Sequence, residues 1–229
     1  AKRISNEWLA ERQCKLALEN AGHICLSIYS SGGFRQLGNA TKPVHVPDDM
    51  KGLKWRTTKS PVEFMLVKNW GAIPTPYDWS QLYTGLQSGV VEGQYVASPW
   101  QHVAKLHEVA KYFTEIGGMW SGNILAMDAK QYNELSGQEK EWLHEAATIY
   151  GEKVNQLDNA WIKNGEDAIK ASAKEWYVPS EAELTKWRAG AIGAWLDAKG
   201  TFEPEVARRV LLEQGMDGFV AQLEAAGAL

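Results

Sequence analysis

Arg35 follows a glycine pair in SSGGFR, Arg56 sits in LKWRTT, and Gln94 lies in VVEGQYVA. Each falls where a strand-like stretch meets a turn or a helix start, and in open α/β sheets ligands collect at the carboxyl ends of strands. A guanidinium is a planar fork that donates two parallel hydrogen bonds to a carboxylate, which a lysine cannot match. The chemistry these residues could do is therefore anion binding. Spacing alone leaves Arg56 with three readings: an exposed charge, a structural ion pair, or a hand for a ligand carboxylate.

Motifs for bond-making chemistry are missing. The chain contains no GxSxG, HExxH, Walker A, GxGxxG or CxxC pattern. Its five histidines are scattered, and His102 and His107, five positions apart, do not share one helix face as metal ligands would. No nucleophile with a base, no acid/base pair and no metal set emerges, so the chain is expected to be neither an enzyme nor a cofactor or metal binder.

The elements that must position the arginines are legible. A helix is expected from about Asn6 to Asn20, stopped by Gly22. HICLSIYSSGG then reads as a buried strand ending at two glycines, and LKWRTT as the next strand. Ser60-Pro61-Val62-Glu63 is a capping box with proline at the first helical position, followed by Val62, Met65, Leu66 and Trp70 at helical spacing and closed by Gly71. Asp78 and Gln81 open another helix that ends at Gly89, and VVEGQYVA is a further strand. Strands alternating with short helices signal a parallel α/β arrangement.

Further along, SPWQHVAKLHEVAKYF is expected to be a helix, and GGMWSGNILAMDAKQYNEL a strand followed by a turn. A helix of unusual length should run from Ser136, with Glu139 completing its capping box, to about Lys174. Trp142, Ala146, Ile149, Tyr150, Leu157, Trp161 and Ile169 are its expected apolar stripe. Two or three helices follow, the first capped by Ser180 and Glu183.

Composition narrows the class. Hydrophobic residues make up 45% and charged residues 23% of the chain, as in globular proteins. The net charge is −4 with no dense basic run, which argues against nucleic acid as a partner. The first 59 residues nevertheless carry ten Lys/Arg against five Asp/Glu, a bias that suits a small anionic ligand or simply a solvated face. No apolar run is long enough to enter a membrane, and AKRISNEWLAERQ lacks the apolar core of a signal peptide. Cys14 and Cys25 fit either two buried thiols or a disulfide.

The block MKGLKWRTTKSPVEF…WGAIPTPYDWSQLYTGLQSGVVEGQ resembles the central block of the solute-binding proteins of TRAP transporters, the DctP family. GGFRQLGNATKPVHVPDDMKG, KLHEVAKYFT and the long helix are similar to the family's flanking parts, so the likeness runs through essentially the whole chain. It implies a type II periplasmic-binding-protein-like α/β fold, two lobes crossed by a long helix. By the same likeness, residues 1–33 and 122–160 are the remainder of the first lobe and 34–121 and 161–229 the second, with the helix of about 137–174 crossing both.

As function, the resemblance implies a periplasmic receptor that binds a small organic acid and delivers it to membrane permease subunits, without cofactor, nucleic acid or membrane insertion. A ligand-sensing effector domain of a regulator is the alternative with a similar architecture. The family's carboxylate-gripping arginine falls on Arg56 and its second ligand-side arginine on Arg35. Trp79 takes the place of an aromatic that packs on the ligand, Gln94 ends the Gly-Gln motif, and Trp120 and Asn123 lie on a strand that faces the cleft.

Two departures stand out. After Gly93-Gln94 the family continues Glu-Asn-Pro, whereas here Tyr95-Val96-Ala97 follow, so the Asn contact is absent and Ser98, Tyr95 and Asn123 are the candidates to replace it. Trp55, Trp79, Trp100 and Trp120 crowd these motifs, either as core or as walls for a bulky or aromatic carboxylate. The family also carries about a hundred residues, the size of a small domain, ahead of the stretch equivalent to Ile4–Gly22, so the first lobe is expected to be incomplete.

Overall fold

The structure is a computed structural model that describes residues 7–229, so the expected helix start at Asn6 lies outside the described residues. Helix α1 (Glu7–Ala21) closes at Gly22, whose φ of 66° suits a residue without a Cβ. Cys14 of α1 is disulfide-bonded to Cys25 of the following strand, which decides between the two readings of the cysteines.

That strand, β1 (His23–Asn39), departs from the expected stop at the glycine pair: it passes through Gly32 and Gly33 and runs on for 17 residues in all. Its first part pairs antiparallel with β6 (Trp120–Asp128), and its last five residues pair antiparallel with β4 (Gly93–Ala97), Arg35 opposite Ala97. Between Ser30 and Gly33 the register with β6 shifts. Gly32 and Gly33 take φ of 89° and 72°, and a Cβ on Gly33 would meet Ile162 Cδ1 at 2.7 Å. Glycine here is not a terminator but the residue that lets one strand bend from a ribbon into a sheet.

The sheet has the order β3-β2-β4-β1-β5-β7, with β2 (Lys54–Thr57), β3 (Ile73–Pro76), β5 (Tyr112–Thr114) and β7 (Glu175–Tyr177). Strand β2 is parallel to both β3 and β4, as the strand–helix alternation required, but the antiparallel β1 in the middle makes the sheet mixed. Helix α2 (Pro61–Asn69) begins at Ser60 and α3 (Leu82–Ser88) ends at Gly89 in the left-handed region. Asp78 precedes a single 3-10 turn without capping it, so α3 starts later than expected. The expected helix at SPWQHVAKLHEVAKYF is only α4 (Ser98–Val103); Lys105 at φ 56° breaks it, and a 3-10 turn leads into β5. A short helix, α5 (Ala129–Glu134), follows β6.

Helix α6 (Gly137–Ser172) spans 36 residues behind a complete Ser136–Glu139 capping box. Its packing face agrees with the expected apolar stripe only at Trp161, half-buried, and Ile169. Trp142, Ile149, Tyr150 and Leu157 are exposed, while Ala147, Gly151, Asp158, Gly165 and Ile169 are buried. The helix comes so close to its neighbours that large side chains do not fit: a Cβ on Gly151 would meet Ser27 Oγ at 2.3 Å, and one on Gly165 would meet Pro99 Cα at 2.7 Å. Asn155 Oδ1 accepts from Ser30 N and Asp158 Oδ1 from Gly32 N, both at 3.1 Å, which fastens the bend of β1 to the middle of α6.

Helices α7 (Glu181–Asp197), α8 (Pro204–Glu213) and α9 (Asp217–Ala225) complete the chain. The main core lies between the sheet, α2 and α7 and is built from Leu37, Trp55, Val67, Trp70, Tyr95 and Trp187. Side chains as fully buried as Leu37 and Val67 each contribute about 2 kcal/mol by leaving water. Trp70 and Trp187 meet edge to face at 5.0 Å, and Trp70 Nε1 donates to Trp187 O at 3.2 Å, so the buried indole is satisfied.

Candidate functional site

A cleft of about 360 Å³ opens where β1, β2, β4 and β6 converge, and its lining includes Ser31, Arg35, Arg56, Thr58, Trp79, Val96, Trp100, Trp120, Ser121 and Asn123. Five of the six expected site residues therefore share one cavity: Arg35, Arg56, Trp79, Trp120 and Asn123. They come from β1, β2, the 3-10 turn at 79–81 and β6, brought together by the bend at Ser30–Gly33.

Gln94, the sixth, lies outside that lining. It is fully buried and points away from the cleft: Nε2 donates to Gln101 Oε1 at 2.7 Å, and it packs beneath Gly38 of the neighbouring strand. Successive residues of a strand face opposite sides, and the inward side at Gln94 is the core. Tyr95 and Ser98, weighed as substitutes for the family's asparagine, are buried as well, Tyr95 against the ring of Trp70. Only Asn123 of the three reaches the cleft.

Arg56 is 5% exposed, and its Nε donates to Tyr77 O at 3.1 Å. Among the described residues no carboxylate pairs with it, and its two terminal nitrogens have no hydrogen-bond partner. Burial pushes its guanidinium below the ordinary value; the Glu63 carboxylate opposes that and Arg35 adds to it. It stays charged all the same, because arginine does not deprotonate in proteins. Its Cζ lies 5.9 Å from the ring centroid of Trp79, which is 41% exposed.

Arg35 differs. Its Nη1 donates to Glu63 Oε1 at 3.3 Å and its Nε to Ser121 Oγ at 3.2 Å. Glu63, buried at the first turn of α2, also accepts from Thr58 N at 2.9 Å and from Thr58 Oγ1. The capping box read from the sequence is thus half made: Ser60 Oγ accepts from Glu63 N, but the Glu63 carboxylate turns to Thr58 and Arg35. Helix periodicity gave no hint of this, since a third-position glutamate looks the same whichever partner it takes.

Ser31 was missed in sequence because it sits within what looked like a terminating glycine turn. Its Oγ accepts from Trp100 Nε1 at 3.0 Å and from Asn123 Nδ2 at 3.1 Å. Of the four crowded tryptophans, Trp55 is core, its ring flat over Gly93, where a Cβ would come within 2.3 Å of it. The other three line the cleft: Trp100 packs edge to face on Trp79 at 6.4 Å and on Trp161 of α6 at 5.3 Å. The cavity thus brings a buried guanidinium, hydroxyls and indole walls together.

This α/β fold, with a long helix packed on the bent strand and a cleft beside the bend, is a type II, bilobal binding-protein-like fold. Residues 1–199 match the family model for bacterial extracellular solute-binding proteins, family 7 (DctP), and the chain belongs to that family. A solute-binding protein of Verminephrobacter eiseniae is 32% identical over 130 residues, covering 56% of this chain and 38% of its own length. The 2,3-diketo-L-gulonate-binding periplasmic protein YiaO of Escherichia coli is 30% identical over 143 residues, 62% of this chain and 43% of its own. A TRAP periplasmic solute-binding protein from Roseobacter denitrificans, solved with bound L-galactonate, superposes with a TM-score of 0.77 at 23% identity, over 86% of this chain and 63% of that one. The chain spans less than half the length of the curated relatives it matches. These relatives are solute-binding proteins. Among the described residues no helix is long and apolar enough to cross a membrane.

Proposed function

We propose that the chain is the ligand-gripping part of a periplasmic receptor for a TRAP transporter, that it holds a small organic acid through an Arg56–carboxylate pair, and that it presents the ligand to the membrane permease. The observation that carries this is Arg56: buried, charged, fixed through Nε, and with both terminal nitrogens free toward the cleft. A structural ion pair would have used those nitrogens, and an exposed charge would not have been buried.

In this reading residues 34–121 and 161–229 form one lobe, residues 1–33 and 122–160 belong to the other, and the bend of β1 at Ser30–Gly33 is a hinge. Closure dries the cleft. Two unit charges 4 Å apart attract by about 1 kcal/mol in water but about 4 kcal/mol at an effective dielectric of about 20, so the pair strengthens as the lobes meet. The test is thermal stabilisation by carboxylate ligands. Arg56→Ala is expected to fold, losing only its bond to Tyr77 O, and to lose the ligand-induced rise in Tm; a rise equal to that of the unaltered protein overturns the assignment.

A further inference from the structure

We propose that the preferred solute is an aromatic monocarboxylate, an acid whose carboxylate is carried by a flat unsaturated ring, rather than a sugar acid, a dicarboxylate or a zwitterion. This rests on the receptor reading above and specifies its ligand.

Charge is the first ground. Two arginines line the cleft, but Arg35 already faces the buried Glu63 carboxylate at 3.3 Å, so its charge is matched within the protein. Among the described residues that line the cleft, Arg56 alone is a cation without a carboxylate partner, which suits one carboxylate and not two. A cationic group on the ligand would meet both guanidiniums, and among the described residues the lining has no carboxylate to receive it.

The second ground is the direction of the hydrogen bonds. Ser31 Oγ accepts from Trp100 Nε1 and Asn123 Nδ2, which uses both of its lone pairs and leaves its proton to donate. Ser121 Oγ accepts from Arg35 Nε, so its proton is likewise unspent. Thr58 Oγ1 donates its proton to Glu63 and accepts from Ser60 N, which leaves it one lone pair and no donor. The unspent donors, the Arg56 terminal nitrogens and the Ser31 and Ser121 hydroxyl protons, thus outweigh the acceptors left, Asn123 Oδ1 and one lone pair each on Ser121 and Thr58. A carboxylate is acceptor-only and is satisfied by them, whereas each hydroxyl of a sugar acid brings a donor that needs an acceptor.

The third ground is the wall. Trp79, Trp100 and Trp120 present indole surface to one cavity, and the Trp100 nitrogen, its only polar atom, is spent on Ser31. The Trp120 ring lies over Gly122, where a Cβ would come within 2.1 Å of it, so glycine there lets the indole lie flat along its own strand. Flat apolar faces around a cleft suit a ring that can stack or meet them edge on.

The experiment is calorimetric titration of the purified protein with benzoate, cyclohexanecarboxylate, benzamide, D-glucuronate, L-malate and ectoine. Benzoate is expected to bind at least tenfold more tightly than the saturated ring acid, the sugar acid, the dicarboxylate and the zwitterion, and benzamide not to bind. Trp79→Leu, checked for folding by circular dichroism, should weaken benzoate at least tenfold. If D-glucuronate, L-malate, ectoine or cyclohexanecarboxylate equals or exceeds benzoate, the aromatic assignment falls and the carboxylate receptor stands, as it also does if Trp79→Leu binds benzoate unchanged. If benzamide matches benzoate, or no acid binds, the Arg56–carboxylate reading falls with it.

Discussion

Arg35 Nη1 lies 3.3 Å from Glu63 Oε1, and the same carboxylate accepts the backbone N–H of Thr58 at 2.9 Å. One buried acid therefore ties the bend side of β1 to the end of β2 and the start of α2, and among the described residues Arg56, on β2, is the guanidinium of the cleft without a carboxylate in ion-pair contact.

Glu63→Gln keeps the shape but removes the charge that Arg35 and Thr58 are arranged around. Breaking one partner of a buried, hydrogen-bonded pair costs about 3 kcal/mol, and the partial exposure of Arg35 reduces this to about 2. Urea denaturation should show that loss, and a midpoint within error of the parent would mean that the carboxylate does not hold these elements together.

Gly165→Ala sets two effects against each other. Helix propensity favours alanine by about 1 kcal/mol. The added Cβ, however, would meet backbone atoms of Ser98 and Pro99 at 2.7–2.9 Å, and forced contacts of this kind cost about 1–3 kcal/mol. Net destabilisation is expected, read as a lowered Tm. Gly137→Ala, at the start of the same helix with nothing within 4 Å of the new Cβ, should not lower it.

Glu183 yields a pH prediction. Its carboxylate accepts from Tyr177 OH at 2.7 Å and from Ser180 Oγ and N, which holds its pKa down to about 2 from an ordinary 4.5. A folded-state pKa below the unfolded one means that the unfolded chain binds the proton more readily between those values. The contribution is therefore fully present above about pH 4.5 and is lost as pH falls toward 2. Glu183→Gln should be less stable than the parent at pH 7, with the gap closing as the pH drops through that window. A gap independent of pH would assign the effect to shape rather than charge.

Local patterns were legible wherever one segment contains all the partners. The Ser136–Glu139 and Ser180–Glu183 capping boxes form as read, because cap and third-position residue lie within one turn. Gly22, Gly71 and Gly89 follow their helices at positive φ for the same reason. The reading failed where a distant element chose the outcome. The glycine pair at 32–33 looked like a strand end, yet α6 supplies Asp158 and Asn155 to hold the bent backbone, and the strand continues. The apolar stripe on α6 was real as a pattern, but the face that packs is the one small enough for β1 and α4 to approach.

The sequence by itself determined the alternation of strands and helices from β2 to β4, the parallel pairing of β2 with its neighbours, the long capped helix and the family, because these follow from local periodicity, caps and a distinctive run of residues. Only the tertiary structure decided that Gln94 faces the core, that Glu63 matches Arg35 and not Arg56, and that three of four neighbouring tryptophans wall the cleft. A side chain's type sets what bonds it can make. Which partner it finds depends on strands and helices far away in the chain, and that is a property of packing.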